Sequence, residues 1–134
     1  MTGVRTGAAR RLVSWLLALA AGVVPLAQAQ TMQIPRPSAG LMPNPAVGKK
    51  LFAANCASCH GADLKGSEKG PAMLHKVYEP SHHSDVAFQL AVKNGVRAHH
   101  WQFGDMAAVP GLTPDDVAHI TAFIRTEQRK VGIQ

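Results

Sequence analysis

Five consecutive residues, Cys56, Ala57, Ser58, Cys59 and His60, hold the chain's only two thiols three positions apart, with an imidazole directly after the second. That spacing is the attachment pattern of a c-type haem. Each thiol adds across one vinyl group of the macrocycle, so two sulfurs about one helical turn apart reach two neighbouring pyrrole rings. His60 is then placed beneath the porphyrin plane, where a ring nitrogen binds iron from the proximal side. Other uses of a CxxC pair fit less well. A structural zinc site needs a second Cys or Cys/His pair at regular spacing, and there is no further cysteine. A redox CxxC follows a strand in a βαβ unit, and no strand pattern surrounds this one. With both thiols in the haem motif, none remains for a structural disulfide.

One axial bond from His60 leaves the opposite position to decide the chemistry. Met106 sits in the run Phe103, Gly104, Asp105, Met106, in a Gly-led stretch after the middle helix and before the last. A thioether is a soft ligand that favours ferrous iron, raises the potential and blocks the place where oxygen or peroxide would bind. Its rivals are Met73, His99 and His100. Met73 follows Gly70-Pro71 closely and is read as a core side chain, since methionine usually fills gaps. An iron-bound histidine donates its other ring N–H to an acceptor, which fixes its orientation and raises its basicity. The carbonyl of Pro71 is a candidate, because proline stiffens the segment presenting it. The alternative is an ordinary turn.

The elements that must position these groups are helical. Asn44-Pro45 opens a helix, with asparagine as cap and proline at the first position. Val47, Leu51 and Ala54 recur at helical spacing, with Gly48 and Phe52 on a neighbouring stripe, and the helix runs into the Cys motif. Residues 61–77 read as loop, punctuated by Gly61, Gly66, Gly70 and Pro71. Ser84 caps a second helix with Asp85 in its first turn, and Asn94-Gly95 ends it. Thr113-Pro114-Asp115-Asp116 opens the last helix, whose apolar side carries Val117, Ile120, Thr121 and Ile124 with Phe123 adjoining. Its end is expected to fray over residues 127–130. No strand pattern, repeat or low-complexity block interrupts this order.

The 134 residues suit one domain. Arg5, Arg10 and Arg11 precede an apolar run over residues 12–24, then Pro25 and Ala27-Gln28-Ala29. This is the pattern of a secretory signal peptide cleaved near Ala29, and the run is shorter than the roughly 20 residues of a membrane span. The alternative is a retained N-terminal anchor. Residues 30–43, with Pro35, Pro37 and Pro43, read as a flexible or extended Pro-rich arm, and residues 44–134 as the folded domain. Three of the fourteen Lys and Arg lie in the leader, leaving eleven against eight acids, a net charge of +3. Such a balance suits docking on an acidic redox partner and gives no reason to invoke nucleic acid.

From Asn44 to about Gln128 the chain resembles the class I monohaem cytochromes c of bacteria. The resemblance rests on a helix ending in CxxCH, a Gly-Pro loop, a middle helix before a loop methionine, and a C-terminal helix. It implies an all-α, cytochrome c-like bundle of three to four helices wrapped around one covalently bound haem c. It implies Cys56 and Cys59 as the thioether links, His60 and Met106 as axial ligands, and Gly48 and Phe52 meeting Phe123 where the terminal helices cross. One departure stands out. Many bacterial relatives read Met-Pro-Pro or Met-Pro at the ligand loop, whereas Met106 is followed by Ala107, Ala108, Val109 and Pro110. Losing the adjacent proline is expected to loosen the loop and weaken a methionine–iron bond.

Two histidine pairs, His82-His83 and His99-His100, lie outside that resemblance. Cofacial imidazoles bind copper or zinc, but a helix of about 10 residues, about 15 Å long, is expected to hold the pairs apart. The alternatives are a solvated surface or hydrogen bonds to haem propionates. Trp101 is a candidate haem-pocket residue, donating its indole N–H to a propionate or covering the haem edge, and Arg97 either neutralises a propionate or is solvated. The reading is a periplasmic, monomeric electron carrier between larger redox proteins, not an enzyme by itself, though it could serve as a subunit or electron donor of an oxidoreductase. Two alternatives stand beside it: a haem ligand-binding or peroxidase-like protein with a labile sixth ligand, and a copper-binding haem protein using the His pairs.

Overall fold

A computed structural model of the chain describes residue 3 and residues 33–134. Apart from residue 3, the leader read over residues 1–29 therefore lies outside the described residues. Asn44, in extended backbone, accepts hydrogen bonds from the amides of Ala46 and Val47 and starts helix α1, Pro45–Asn55. The helix breaks at Cys56, and one further turn, α2, Ala57–His60, carries the second thiol and the imidazole. A long loop follows, with a 3₁₀ turn over Lys76–Tyr78. Helix α3 spans Asp85–Asn94 and α4 spans Pro114–Lys130. Among the described residues there are no strands, only isolated bridges between Ser67 and Gly70 and between Val96 and Met106. The all-α class expected from the sequence holds, and no described helix is long and apolar enough to cross a membrane.

The first and last helices cross at Gly48. A Cβ there would run into the carbonyl of His119, so only a hydrogen lets the two backbones touch. Phe52, one turn on, meets Phe123 with ring centroids 5.7 Å apart and planes tilted by 58°. This close contact is the one the resemblance implies for Gly48, Phe52 and Phe123, and it fixes the rotation of α1. Val47 does not turn inward. It is 41% exposed, and the buried stripe is Gly48 with Phe52, one position along. Leu64, Met73, Ile120 and Ile124 complete the core around the two phenylalanines.

The end of α4 corrects an expectation. It does not fray at Glu127 but stays helical to Lys130, because Gln128 is completely buried. The Gln128 amide donates to the carbonyls of Met73, at 2.9 Å, and Tyr78, at 3.1 Å. Arg125, one turn earlier, donates to the Tyr78 carbonyl at 2.6 Å, to the His83 carbonyl, to Gln128 Oε1 and to the Asp85 carboxylate at 2.9 Å. These two side chains thus hang the loop before α3 from the last helix. Ser84 sits at the cap position of α3, but its hydroxyl makes no capping bond. At the other end of α4, Thr113 and Asp116 form a reciprocal capping box, and the Thr113 hydroxyl holds the Asp116 carboxyl below its ordinary range.

Over the described residues from 33 onward the Pro-rich segment forms no helix or strand and turns at residues 39–40, where the Leu41 amide donates to the Ser38 carbonyl at 3.1 Å. Ser38 donates from its amide and hydroxyl to the Asp115 carboxylate at 2.6 and 2.8 Å. Lys93 reaches the Gln33 carbonyl at 3.0 Å, and the Asn44 amide donates to His119 Nδ1 at 2.8 Å. Pro35, Pro37 and Pro43 have no amide to donate, so the segment is held by a few polar contacts rather than by a repeating ladder.

Candidate functional site

Cys56, Cys59, His60, Pro71, Trp101 and Met106, spread from residue 56 to residue 106, all line one cleft of about 870 Å³. That volume lies within the range of about 300–1,000 Å³ typical of ligand pockets. Phe52, Met73, Leu90, Ile120 and Ile124 give it apolar walls. The two cysteines are not joined to each other. Burial, and next the charge of Cys59, push the Cys56 thiol up to about 11. A thiol so firmly protonated at neutral pH is unlike the acidic thiols of redox CxxC pairs, whose reactivity depends on the thiolate.

His60 ends the single turn of α2, and its Nδ1 lies 2.9 Å from the carbonyl oxygen of Pro71. A carbonyl only accepts, so Nδ1 carries the hydrogen and Nε2 keeps its lone pair for a metal. The loop presenting Pro71 is packed flat on the Cys motif. Ser67 donates through its hydroxyl to the Cys59 carbonyl at 2.6 Å and through its amide to the Gly70 carbonyl at 3.0 Å. A Cβ on Gly70 would stand 3.1 Å from that same Cys59 carbonyl, which is why a glycine fits there.

Met106 is half-buried in the cleft wall, and its loop is tied through the main chain to α3 and to Val96 just beyond it. The Met106 amide and carbonyl exchange two 2.9 Å hydrogen bonds with Val96, and the Val109 amide donates to the Val92 carbonyl. Gly95 turns the chain at φ +75°, and a Cβ there would run into the Met106 carbonyl. Main-chain pairing thus stiffens the loop where the expected proline is missing. Met73 is in the core, 5% exposed.

Trp101 lines the cleft, but its indole N–H donates to the Tyr78 hydroxyl at 3.2 Å instead of standing free for a propionate. Its ring meets His75 edge-on with centroids 4.9 Å apart. Burial raises the pKa of Tyr78, so its hydroxyl stays protonated. Arg97 is exposed. The sequence reading missed Arg125, Gln128 and Tyr78, which brace this side of the cleft. A signal existed: Gln128 continues the stripe Val117, Thr121, Ile124, and Arg125 lies one turn after Thr121, so both are polar residues on an inward face.

The histidine pairs overturn another expectation. They are not separated by α3, because the chain doubles back after Gly95 and brings His100 against His82, Nε2 to Nε2 at 3.1 Å. Burial foremost holds the His83 imidazole below its ordinary value, and loss of solvent with the neighbouring His99, His82 and His83 does the same for His100.

These residues fit a covalently held haem: two thiols and an oriented imidazole on one wall of an apolar cleft, with a half-buried thioether also in its lining. Residues 45–128 match the family model described as Cytochrome c. The chain is also similar to the Cbb3-type cytochrome c oxidase subunit CcoP of Rubrivivax gelatinosus, at 31% identity over 94 residues. That match covers 68% of this chain and 29% of the relative, so the chain spans under a third of the relative's length.

Proposed function

The chain belongs to the cytochrome c family, and on that premise we propose that it is a periplasmic monohaem electron carrier whose iron is held by His60 and Met106. The family carries electrons on haem c, which supplies the one-electron Fe(III)/Fe(II) couple when bound. The observation that carries the finer reading is the His60–Pro71 contact in a cleft that also presents Met106. Cys56 and Cys59 anchor the group covalently. Pro71 fixes the tautomer and orientation of His60, leaving Nε2 for the iron. Met106 supplies a soft ligand from a loop braced on Val96. Phe52, Ile120 and Ile124 keep water away, and the side chains at the cleft mouth leave one edge for electron exchange.

The partners in this reading are larger redox proteins, as donor and acceptor. The likeness to an oxidase subunit supports a place next to such an enzyme. The net charge of +3 after residue 29 suits an acidic docking face. The leader pattern over residues 1–29 supports export. The optical spectrum of the haem-loaded protein tests the ligation. A weak far-red band in the ferric form, lost in Met106→Ala, supports the methionine–iron bond. Its absence, with ready CO binding by the ferrous form, overturns it in favour of a ligand-binding haem protein.

A further inference from the structure

Four imidazoles from the two flanks of α3 meet at the rim of the cleft. Ring centroids are 4.8 Å apart for His82 and His83, 5.0 Å for His82 and His100, and 5.2 Å for His83 and His100. One ring nitrogen from each of these three lies within 4.8 Å of the others. His99 packs beside them, nearly parallel to His83 at 5.9 Å. We propose that His82, His83 and His100 form a binding site for a divalent transition-metal ion, zinc or copper, separate from the haem iron.

Three features carry this. The donors are all imidazole nitrogens, a set that suits zinc, copper or nickel and not calcium or magnesium. The spacing of one pair is nearly that of a filled site, and the third nitrogen, within 4.8 Å of both, has only to close in: zinc–nitrogen bonds of about 2.0–2.1 Å in tetrahedral geometry put two ligand nitrogens about 3.3 Å apart. His82 Nε2 and His100 Nε2 are 3.1 Å apart, a separation that an ion spans with almost no movement. The third imidazole is already oriented. His83 Nδ1 lies 2.6 Å from the Val77 carbonyl, which only accepts, so its hydrogen is on Nδ1 and Nε2 is the free donor.

The site is built as well as crowded. Arg125 binds the carbonyl of His83 and that of Tyr78, which holds the backbone entering α3 in place. His82 and His100 are exposed, so an ion has direct access from solvent, while His83 is half-buried. His83, His99 and His100 also line the haem cleft, so the bound ion would stand beside the redox centre. The assignment requires that His100 is not the sixth iron ligand, which agrees with the reading of Met106 in that place.

The test is zinc uptake by the haem-loaded protein, prepared without a polyhistidine tag, at neutral pH. Titration calorimetry with zinc chloride is read together with metal analysis after dialysis. One equivalent per chain is expected, weakened at least about 100-fold in both His82→Ala and His100→Ala, with the haem spectrum of His82→Ala, which lies outside the cleft lining, unchanged. Both side chains are exposed, so neither substitution threatens the core. Absence of stoichiometric uptake, or uptake retained in both variants, overturns the site. So does a loss of uptake accompanied by a changed haem spectrum, which would assign these imidazoles to the iron.

Discussion

His60 Nδ1 and the main-chain oxygen of Pro71 are 2.9 Å apart, although eleven residues of loop separate them in sequence. The contact makes one ring nitrogen a donor and the other a ligand, and the loop packing that maintains it runs through Gly70. Adding a methyl in Gly70→Ala places it 3.1 Å from the Cys59 carbonyl and displaces Pro71. A less basic His60 then stabilises ferric iron less, and the midpoint potential of the haem-loaded protein is expected to rise. Protein-film voltammetry reads this directly. An unchanged potential would mean that the Pro71 contact has no influence on the iron.

Among the described glycines, Gly48→Ala should be the most damaging added methyl. The added carbon meets a rigid backbone carbonyl at His119, and neither helix can yield without moving Phe52 off Phe123. The expected loss is about 1–3 kcal/mol, or more if the helices must separate. At about 4–8 °C per kcal/mol for a domain of this size, calorimetric melting of the haem-loaded variant makes the loss easy to measure.

Arg125 and Asp85 should differ sharply despite being partners. Arg125 is buried and bonds two backbone carbonyls as well as Gln128, whereas the Asp85 side chain is 71% exposed. Arg125→Met leaves those acceptors without a donor and is expected to cost about 2–4 kcal/mol. Asp85→Asn should cost about 0–1 kcal/mol, since water competes for the exposed partner. Urea denaturation of both variants decides it, and equal losses would contradict the carbonyl-bracing role.

Asp116 gives the last helix an acid-sensitive start. Its folded pKa is depressed, chiefly by the Thr113 hydroxyl and amide, so the unfolded chain binds its proton first as pH falls. The stabilisation is therefore complete above the ordinary carboxylate value and disappears as pH drops through the lower folded one. Asp116→Asn should abolish that part of the acid dependence, and Thr113→Ala should cost about 1 kcal/mol at neutral pH. Melting temperatures of the two variants followed from neutral to acidic pH test both. A wild-type acid slope retained in Asp116→Asn would remove the capping box as its source.

The sequence by itself determined most of what is written in short-range chemistry, the capping bond of Ser84 being the exception. The thiols and imidazole of residues 56–60 are adjacent along the chain, and the caps Asn44 and Thr113 act within one turn, so residue type and spacing suffice. The helix order followed for the same reason. The tertiary structure decided what depends on how helices are rotated and where loops return. Val47 faces out because Gly48 alone admits the backbone of α4, which no periodicity of α1 reveals. Gln128 is buried because the distant carbonyls of Met73 and Tyr78 require a donor there. The Met106 loop is firm through its pairing with Val96, a contact between main chains that carries no side-chain signature. His82 meets His100 only because the chain reverses after Gly95, so a separation that helix length alone predicts is closed by the fold. Local spacing fixes which groups a chain carries, and packing fixes which of them share a face.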